Sequence, residues 1–277
     1  MRLRTKDNPL GRATSPSGRW VSIDSSALQL GVTAATVRRW VKTGKLEFVR
    51  VAGVTRVSRD GVNLLSVGKL PKDTWQKSRA FFRVAASGDS RQAFAMFRRY
   101  WTKVESLVVA LEDIVVPCLV ETGAYWSESR ILVADEHVVS AVVTDVLIWS
   151  RQIIAPRESH GAAAAVTLGG DPHEHGARLC QVCVELAGLP CTLLGPGLPL
   201  SDLLAWIQRH RPTLLCCSIP GTVDSAVAVE EVHRIWASLG GGQLILGGAG
   251  SFGIGELPPD VFQLGSLSEL EAVLRSR

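Results

Sequence analysis

The hydrophobic pattern changes period along the 277 residues, and each change marks a new architecture. The first stretch is helical. Asp24 or Ser25 caps a short helix to about Leu30, and Gly31 permits a sharp turn. Thr33 caps a second helix with a buried stripe of Ala34, Val37, Trp40 and Val41, which Gly44 stops. "LEFVRV" and "VTRVSR" then alternate with period two around Ala52-Gly53, the pattern of a hairpin. Helix, turn, helix and hairpin over 22–66 predict a winged helix-turn-helix.

Residues 61–72 read as a linker, after which the helical period returns. Asp73 caps a helix with Trp75, Phe81, Phe82 and Ala85 on one stripe. A second helix restarts after Gly88 with Ala93, Phe94, Phe97 and Trp101. "LVVALEDIVVPCLVETGAYW" is a third, bent near Pro117, and "DEHVVSAVVTDVLIWSRQII" a fourth, capped by Asp135. Four helices with short links over 72–156 predict a four-helix bundle. From about Gly161, apolar runs near 163–168, 191–194, 213–218, 243–246 and 261–264 alternate with helical segments. That grammar predicts a five-stranded parallel sheet covered on both faces, an α/β flavodoxin- or Rossmann-like domain over 160–277. The chain reads as multidomain.

Charge separates the first unit from the rest. Residues 1–60 hold 12 Lys/Arg against 4 Asp/Glu, a balance of +8, while 61–277 hold 18 against 22, a balance of −4. The outward side of the second helix carries Thr36, Arg38, Arg39 and Lys42. In a helix-turn-helix this helix enters the major groove, with Arg38 and Arg39 able to reach guanine edges or phosphates. Lys42, Lys45, Arg50 and Arg56 are expected to hold phosphates, which position without reading sequence. The plainer alternative is a helical adaptor with a solvated basic face. The expected partner is double-stranded DNA. One module spans a short half-site, so a homo-oligomer is expected. The core "GVTAATVRRWVKTGKL" resembles the excisionase and MerR group of small winged DNA-binding domains.

Residues 1–21 read as a disordered basic tail without the apolar core of a secretory signal. No run has the length of a membrane helix: "LVVALEDIVVPCLV" is broken by Glu112, Asp113 and Pro117. Six cysteines then read as reduced thiols in a cytoplasm.

Candidate chemistry gathers at one sheet edge. "DPHEHG", residues 171–176, follows the first strand of the α/β domain, "SIPG" ends the third and "GGAG" the fourth. Ligands of such sheets bind beyond the carboxyl ends of the strands. Two histidines and two carboxylates within these six residues could be a metal site, a catalytic site or only a polar loop leaving a strand. His175 is read as solvent-facing. Zinc is the rival metal, but Cys180 and Cys183 fall on a predicted helix without a matching second pair. In the third-to-fourth helix corner, Trp126 precedes Glu136 and His137. This is either a buried Trp beside an acidic helix start or the lining of a ligand cavity.

Asp171-x-His173-x-x-Gly176 resembles the Asp-x-His-x-x-Gly motif of the cobalamin-binding domain in methionine synthase and the mutases. The resemblance implies His173 as the lower ligand of cobalt, with the displaced nucleotide tail in a pocket beside the sheet. Ser218-Ile219-Pro220 partly matches that family's Ser-x-Leu, and Gly247-Gly248 its glycine pair. With the basic head and the bundle, residues 22 onward resemble the CarH/LitR group of B12-dependent photoreceptor repressors, whose Trp-x9-Glu-His mark is met by Trp126, Glu136 and His137. The resemblance implies adenosylcobalamin as chromophore, with those three residues around its adenosyl group. It implies tetramers, or dimers of dimers, that bind operator DNA in the dark and come apart in light, and no substrate turnover. Many members carry a His directly after the Trp that captures cobalt after photolysis. Here Ser127 stands there, and His137 is the nearby replacement. A light-independent sensor of cobalamin level and a corrinoid methyl-carrier module are the alternatives.

Overall fold

The computed structural model describes residues 20–30, 32–44, 46–51, 53–59, 61–62, 65, 72–154 and 162–276. Lys45, Gly31, Ala52, residues 1–19 of the expected tail and the Trp75 side chain lie outside them.

The first unit contains β1 (Trp20–Ser22), α1 (Ile23–Gln29), α2 (Ala34–Lys42), β2 (Phe48–Val51) and β3 (Val54–Ser58). The hairpin pairs as the alternation predicts, with Val49 opposite Arg56. The expected tail ends earlier than residue 21, because Trp20 and Val21 pair with Ser58 and Val57 in an antiparallel third strand. Three residues are too few to show a period, so only the distant partner reveals this strand. Neither Asp24 nor Ser25 caps α1. The Ser22 hydroxyl does, accepting the Ser25 amide at 3.0 Å. Thr33 caps α2 by accepting the Thr36 amide, and Gly44 leaves it at φ +72°. Val37 of α2 is buried with Leu30, Leu46 and Val57. Burying this one apolar stripe turns Arg38, Arg39 and Lys42 outward.

The next helices are α3 (Lys72–Ala86), α4 (Ser90–Val104), α5 (Leu107–Ala110), α6 (Val116–Ser127) and α7 (Val133–Ile153). Phe81, Phe97, Leu111, Ile114, Val143 and Leu147 share one core. The bend expected near Pro117 is a π-helical turn, Leu111–Val115, joining α5 to α6. Proline offers no N–H to the carbonyl of residue 113 and its ring crowds that carbonyl, so a widened turn accommodates it. α7 begins at Val133, ahead of the expected cap. Asp135 lies one turn in and accepts the Leu132 amide at 2.9 Å, which satisfies the helix end from inside.

The last unit alternates β4 (Ala163–Thr167), α8 (His175–Leu186), β5 (Cys191–Leu193), α9 (Leu200–His210), β6 (Leu214–Ser218), α10 (Ser225–Leu239), β7 (Gln243–Gly247), β8 (Val261–Gln263) and α11 (Leu267–Arg275). The five strands are parallel in the order β5-β4-β6-β7-β8. β4 and β6 are buried at every position, as a sheet covered on both faces requires. The chain leaves β4 toward β5 and returns across it to β6, so the loops after β4 and β6 diverge and open a crevice. Thr167 pairs with Ser218 and Ser218 with Gly247, which brings three loops to one edge.

Helices and sheet are held together through α8. Leu179 and Val182 belong to the helical core, and Arg151 of α7 grips Glu185 with two 2.6 Å hydrogen bonds. Among the described residues no helix is long and apolar enough to cross a membrane. Phe97 is wholly buried where α4 meets that core. Phe97→Ala is expected to lower unfolding free energy by about 3–5 kcal/mol in denaturant titration. A loss below about 1 kcal/mol would contradict this packing.

Candidate functional site

The site begins with the turn out of β4. Gly169 and Gly170 both take left-handed conformations, φ +73° and +63°. A Cβ at Gly169 would come within 2.5 Å of Val223, so only glycine fits there. This turn sets Asp171 at the mouth of the crevice, where it is 8% exposed. One carboxylate oxygen accepts both the His173 backbone amide and its ring Nδ1, each at 2.8 Å. The other accepts the Thr222 hydroxyl at 2.7 Å. Thr222 belongs to the loop after β6, so the carboxylate ties together the two loops that diverge at the switch point.

Burial works against the charge of Asp171. The hydrogen bonds from the His173 ring and amide and from Thr222 outweigh it, and the carboxyl lies below its ordinary value of 3.8. The reverse shift appears on His173. Its bond to Asp171 raises the imidazole above 6.5, burial opposes this, and the charges of Asp171 and Glu136 add to the rise. The His173 side chain is 55% exposed, and Nε2 has no hydrogen-bond partner among the described residues. An imidazole anchored at Nδ1 by a carboxylate is arranged to donate from Nε2 to a cation.

The other motif residues explain one another. A Cβ at Gly176, in the first turn of α8, would lie 2.0 Å from the Ser218 hydroxyl oxygen, so glycine lets the helix start against the end of β6. Gly248, at φ +90°, has the Ile219 carbonyl 2.6 Å from its would-be Cβ. Its missing side chain serves the packing of two loops. At Gly247 a Cβ would meet the Leu264 carbonyl at 3.8 Å, an ordinary contact, so that residue of the pair is not crowded.

Above His173 stands the first turn of α7. The Glu136 carboxylate accepts the Ser140 hydroxyl at 2.5 Å and pairs with the His137 ring at 2.6 Å. Its burial disfavours the charge, but Ser140, His137 and the charge of His173 together hold the carboxyl below 4.5. His137 itself is 72% exposed, and Trp126 at the end of α6 is 47% exposed. The Ser127 hydroxyl donates to the Ala124 carbonyl of its own helix. His175 differs from its expected solvent-facing place. It is half-buried, its Nε2 3.0 Å from the Ser140 carbonyl and 3.3 Å from the Thr144 hydroxyl. Burial lowers its pKa below 6.5, which favours a neutral ring that fastens α7 to α8. The structure therefore brings together Asp171, Thr222, His173 and Glu136, and leaves Trp126 and His137 toward solvent.

With this geometry the fold can be compared with solved structures. The chain is similar to the monomethylamine corrinoid protein of Methanosarcina barkeri, with a TM-score of 0.57 and 12% identity over 73% of this chain and 98% of that one. Over that part the chain shares the fold of that protein. The methanol:cobalamin methyltransferase complex MtaBC of Methanosarcina barkeri aligns with a TM-score of 0.33 and 15% identity over 76% of this chain and 84% of its own. A cobalamin-binding protein of Desulfitobacterium hafniense gives 0.34 and 14% over 71% and 96%. Both superpositions are loose. No protein-family model matches the chain, and no curated protein matches its sequence.

Away from the edge, Arg38, Arg39, Lys42 and Arg56 are exposed on the first unit, while Thr36 is half-buried and bonded to Thr33. Among the described residues no group of three His, Cys, Asp or Glu side chains is placed to hold a metal ion by itself. Cys183 is buried in the core, so the zinc rival finds no ligand set there.

Thr222 and Ser140 are the contributors that sequence reasoning missed. The available signal for Thr222 was its place four residues past Ser218, on the loop opposite Asp171.

The raised pKa of His173 has a definite sign. Its bond to Asp171 contributes stability that is full below 6.5 and is lost as pH rises through the raised value. The neutral, donating ring appears over that same rise. Asp171→Asn is therefore expected to move the His173 titration to lower pH in an NMR titration of the ligand-free protein. An unmoved titration would contradict the carboxylate's role.

Proposed function

We propose that the chain binds a cobalamin at the carboxyl edge of its sheet, with His173 as the lower ligand of cobalt. The observation that carries this reading is the Asp171–His173 pair, anchored across the crevice by Thr222 and donating outward. The donor set fits the group. A corrin supplies four ring nitrogens to its metal and asks one axial ligand of the protein, and one supported imidazole is what the edge offers. Glu136, whose charge reaches His173 from α7, would lie toward the upper face with His137 and Trp126. Asp171 holds the Nδ1 proton while Nε2 donates. Ser218, Gly176 and Gly247 shape the edge, and Gly248 keeps its two loops in register. The bound group would supply a cobalt–carbon bond that is labile to light in its adenosyl form, or a cobalt that carries a methyl group.

Two uses of such a module compete. The likeness to a corrinoid protein favours a methyl carrier. A specific observation favours a cytoplasmic DNA-binding regulator. That neighbour is accounted for by 73% of this chain, which leaves about a quarter without counterpart, and the chain's first unit is a basic helix pair with a hairpin. α2 presents Arg38, Arg39 and Lys42 outward, with Arg56 on the adjoining strand. The unit suits a winged helix-turn-helix, and Lys45 adds to its charge. We therefore favour a cobalamin-dependent regulator, a repressor acting as a tetramer or dimer of dimers, without substrate turnover. Its head docks on DNA, and adenosylcobalamin makes its assembly responsive to light.

Gel shifts on DNA flanking the gene separate these uses. A shift that needs adenosylcobalamin in the dark and weakens after illumination is expected of the photoreceptor. A cofactor-dependent shift indifferent to light would indicate a level sensor, and binding indifferent to both would defeat regulation and leave the carrier. Arg39→Ala is expected to weaken the shift about tenfold or more while cofactor uptake stays unchanged.

A further inference from the structure

The first unit does not stand clear of the sheet. Arg59, the residue after β3, is 8% exposed. Its Nη1 donates to the Ala249 carbonyl at 3.0 Å. Its Cδ lies 2.5 Å from the position a Cβ would take at Gly221. Beside it, α1 packs against the short helical turn Ser251–Gly253. The surface gripped in this way is the pair of loops after β6 and β7. These are two of the three loops at the carboxyl edge, and they carry on from Ser218 and from Gly247-Gly248. Gly221 leaves bare backbone there, and Arg59 rests on it and on the Ala249 carbonyl. A ligand seated at this edge would meet the same backbone. Docked unit and ligand thus contend for one surface. Arg38, Arg39 and Lys42 stay exposed in the docked position, so docking fixes the direction of the basic helix without covering its charge.

We propose that the first unit is a latch over the cofactor edge, pinned by Arg59, and that cobalamin binding and release of this unit are coupled. The proposal rests on the cobalamin reading above. The coupling is reciprocal: a ligand that displaces Arg59 frees the unit, and a substitution that frees the unit tightens the ligand. Apparent affinity is proportional to the fraction of molecules whose edge is open, so a closed latch weakens it. Freed from the pin, the basic helices of an oligomer can turn to the spacing of DNA half-sites.

Two measurements on the full chain test this. Wild type and Arg59→Ala are titrated with adenosylcobalamin in the dark, and tryptic cleavage after Arg59 is followed in wild type with and without the cofactor. Arg59→Ala is expected to tighten binding roughly tenfold, the scale of one charge-assisted hydrogen bond. The cofactor is expected to speed cleavage after Arg59 several-fold. Cleavage that the cofactor leaves unchanged would overturn the latch, whatever the variant does, and uptake of cobalamin would leave the wider reading standing. Equal affinity of a folded Arg59→Ala protein would overturn it too. Absence of uptake by wild type would overturn the cobalamin reading and the latch together.

Discussion

The carboxyl edge of the sheet depends on one carboxylate. Asp171 is nearly buried, yet it keeps its charge because three donors converge on it: the amide and ring of His173 and the hydroxyl of Thr222. A buried charge left without such partners would be costly, so the three bonds and the charge sustain one another. The arrangement joins the loops on either side of the sheet's switch point and fixes which imidazole nitrogen faces out. Every chemical expectation for the edge follows from that orientation.

The helices above the sheet are set by contacts on α8. Arg151 and Glu185 clamp one end of the α7–α8 contact, and His175 with the Ser140 carbonyl holds the other. Between these fastenings α7 carries Glu136 toward His173. The two histidines of one loop thereby divide their work. His173, on the carboxylate, looks outward. His175, desolvated and favoured as neutral, serves as a structural tie. Sequence spacing alone shows two equivalent rings; burial separates them.

The large periods were legible. The strands of the parallel sheet, the hairpin and the long helices all follow from runs of apolar residues, because burial on one face or two leaves a period in the chain. Features made by pairing at a distance were not. β1 shows itself only through β3, Thr222 only through Asp171, and the place of His175 only through Ser140. Helix ends shifted for a similar reason: Ser22 and Asp135 satisfy amides from positions that propensity does not distinguish from their neighbours. The π-helical turn before Pro117 was anticipated as a bend, since proline's missing donor announces a fault but not its form. The role of the edge glycines also depends on partners distant in sequence. Gly176 and Gly248 prove to be room for Ser218 and Ile219.

The central claim is that a histidine of this chain, His173, is the axial ligand of a cobalamin's metal. The direct measurement is electron paramagnetic resonance of the cob(II)alamin complex, made with protein whose histidines carry nitrogen-15 and cofactor of natural isotope content. Ligation by the protein imidazole predicts that each cobalt line splits into the doublet of a spin-one-half nitrogen. A triplet from nitrogen-14 would mean that the cofactor keeps its own base, and would contradict the account.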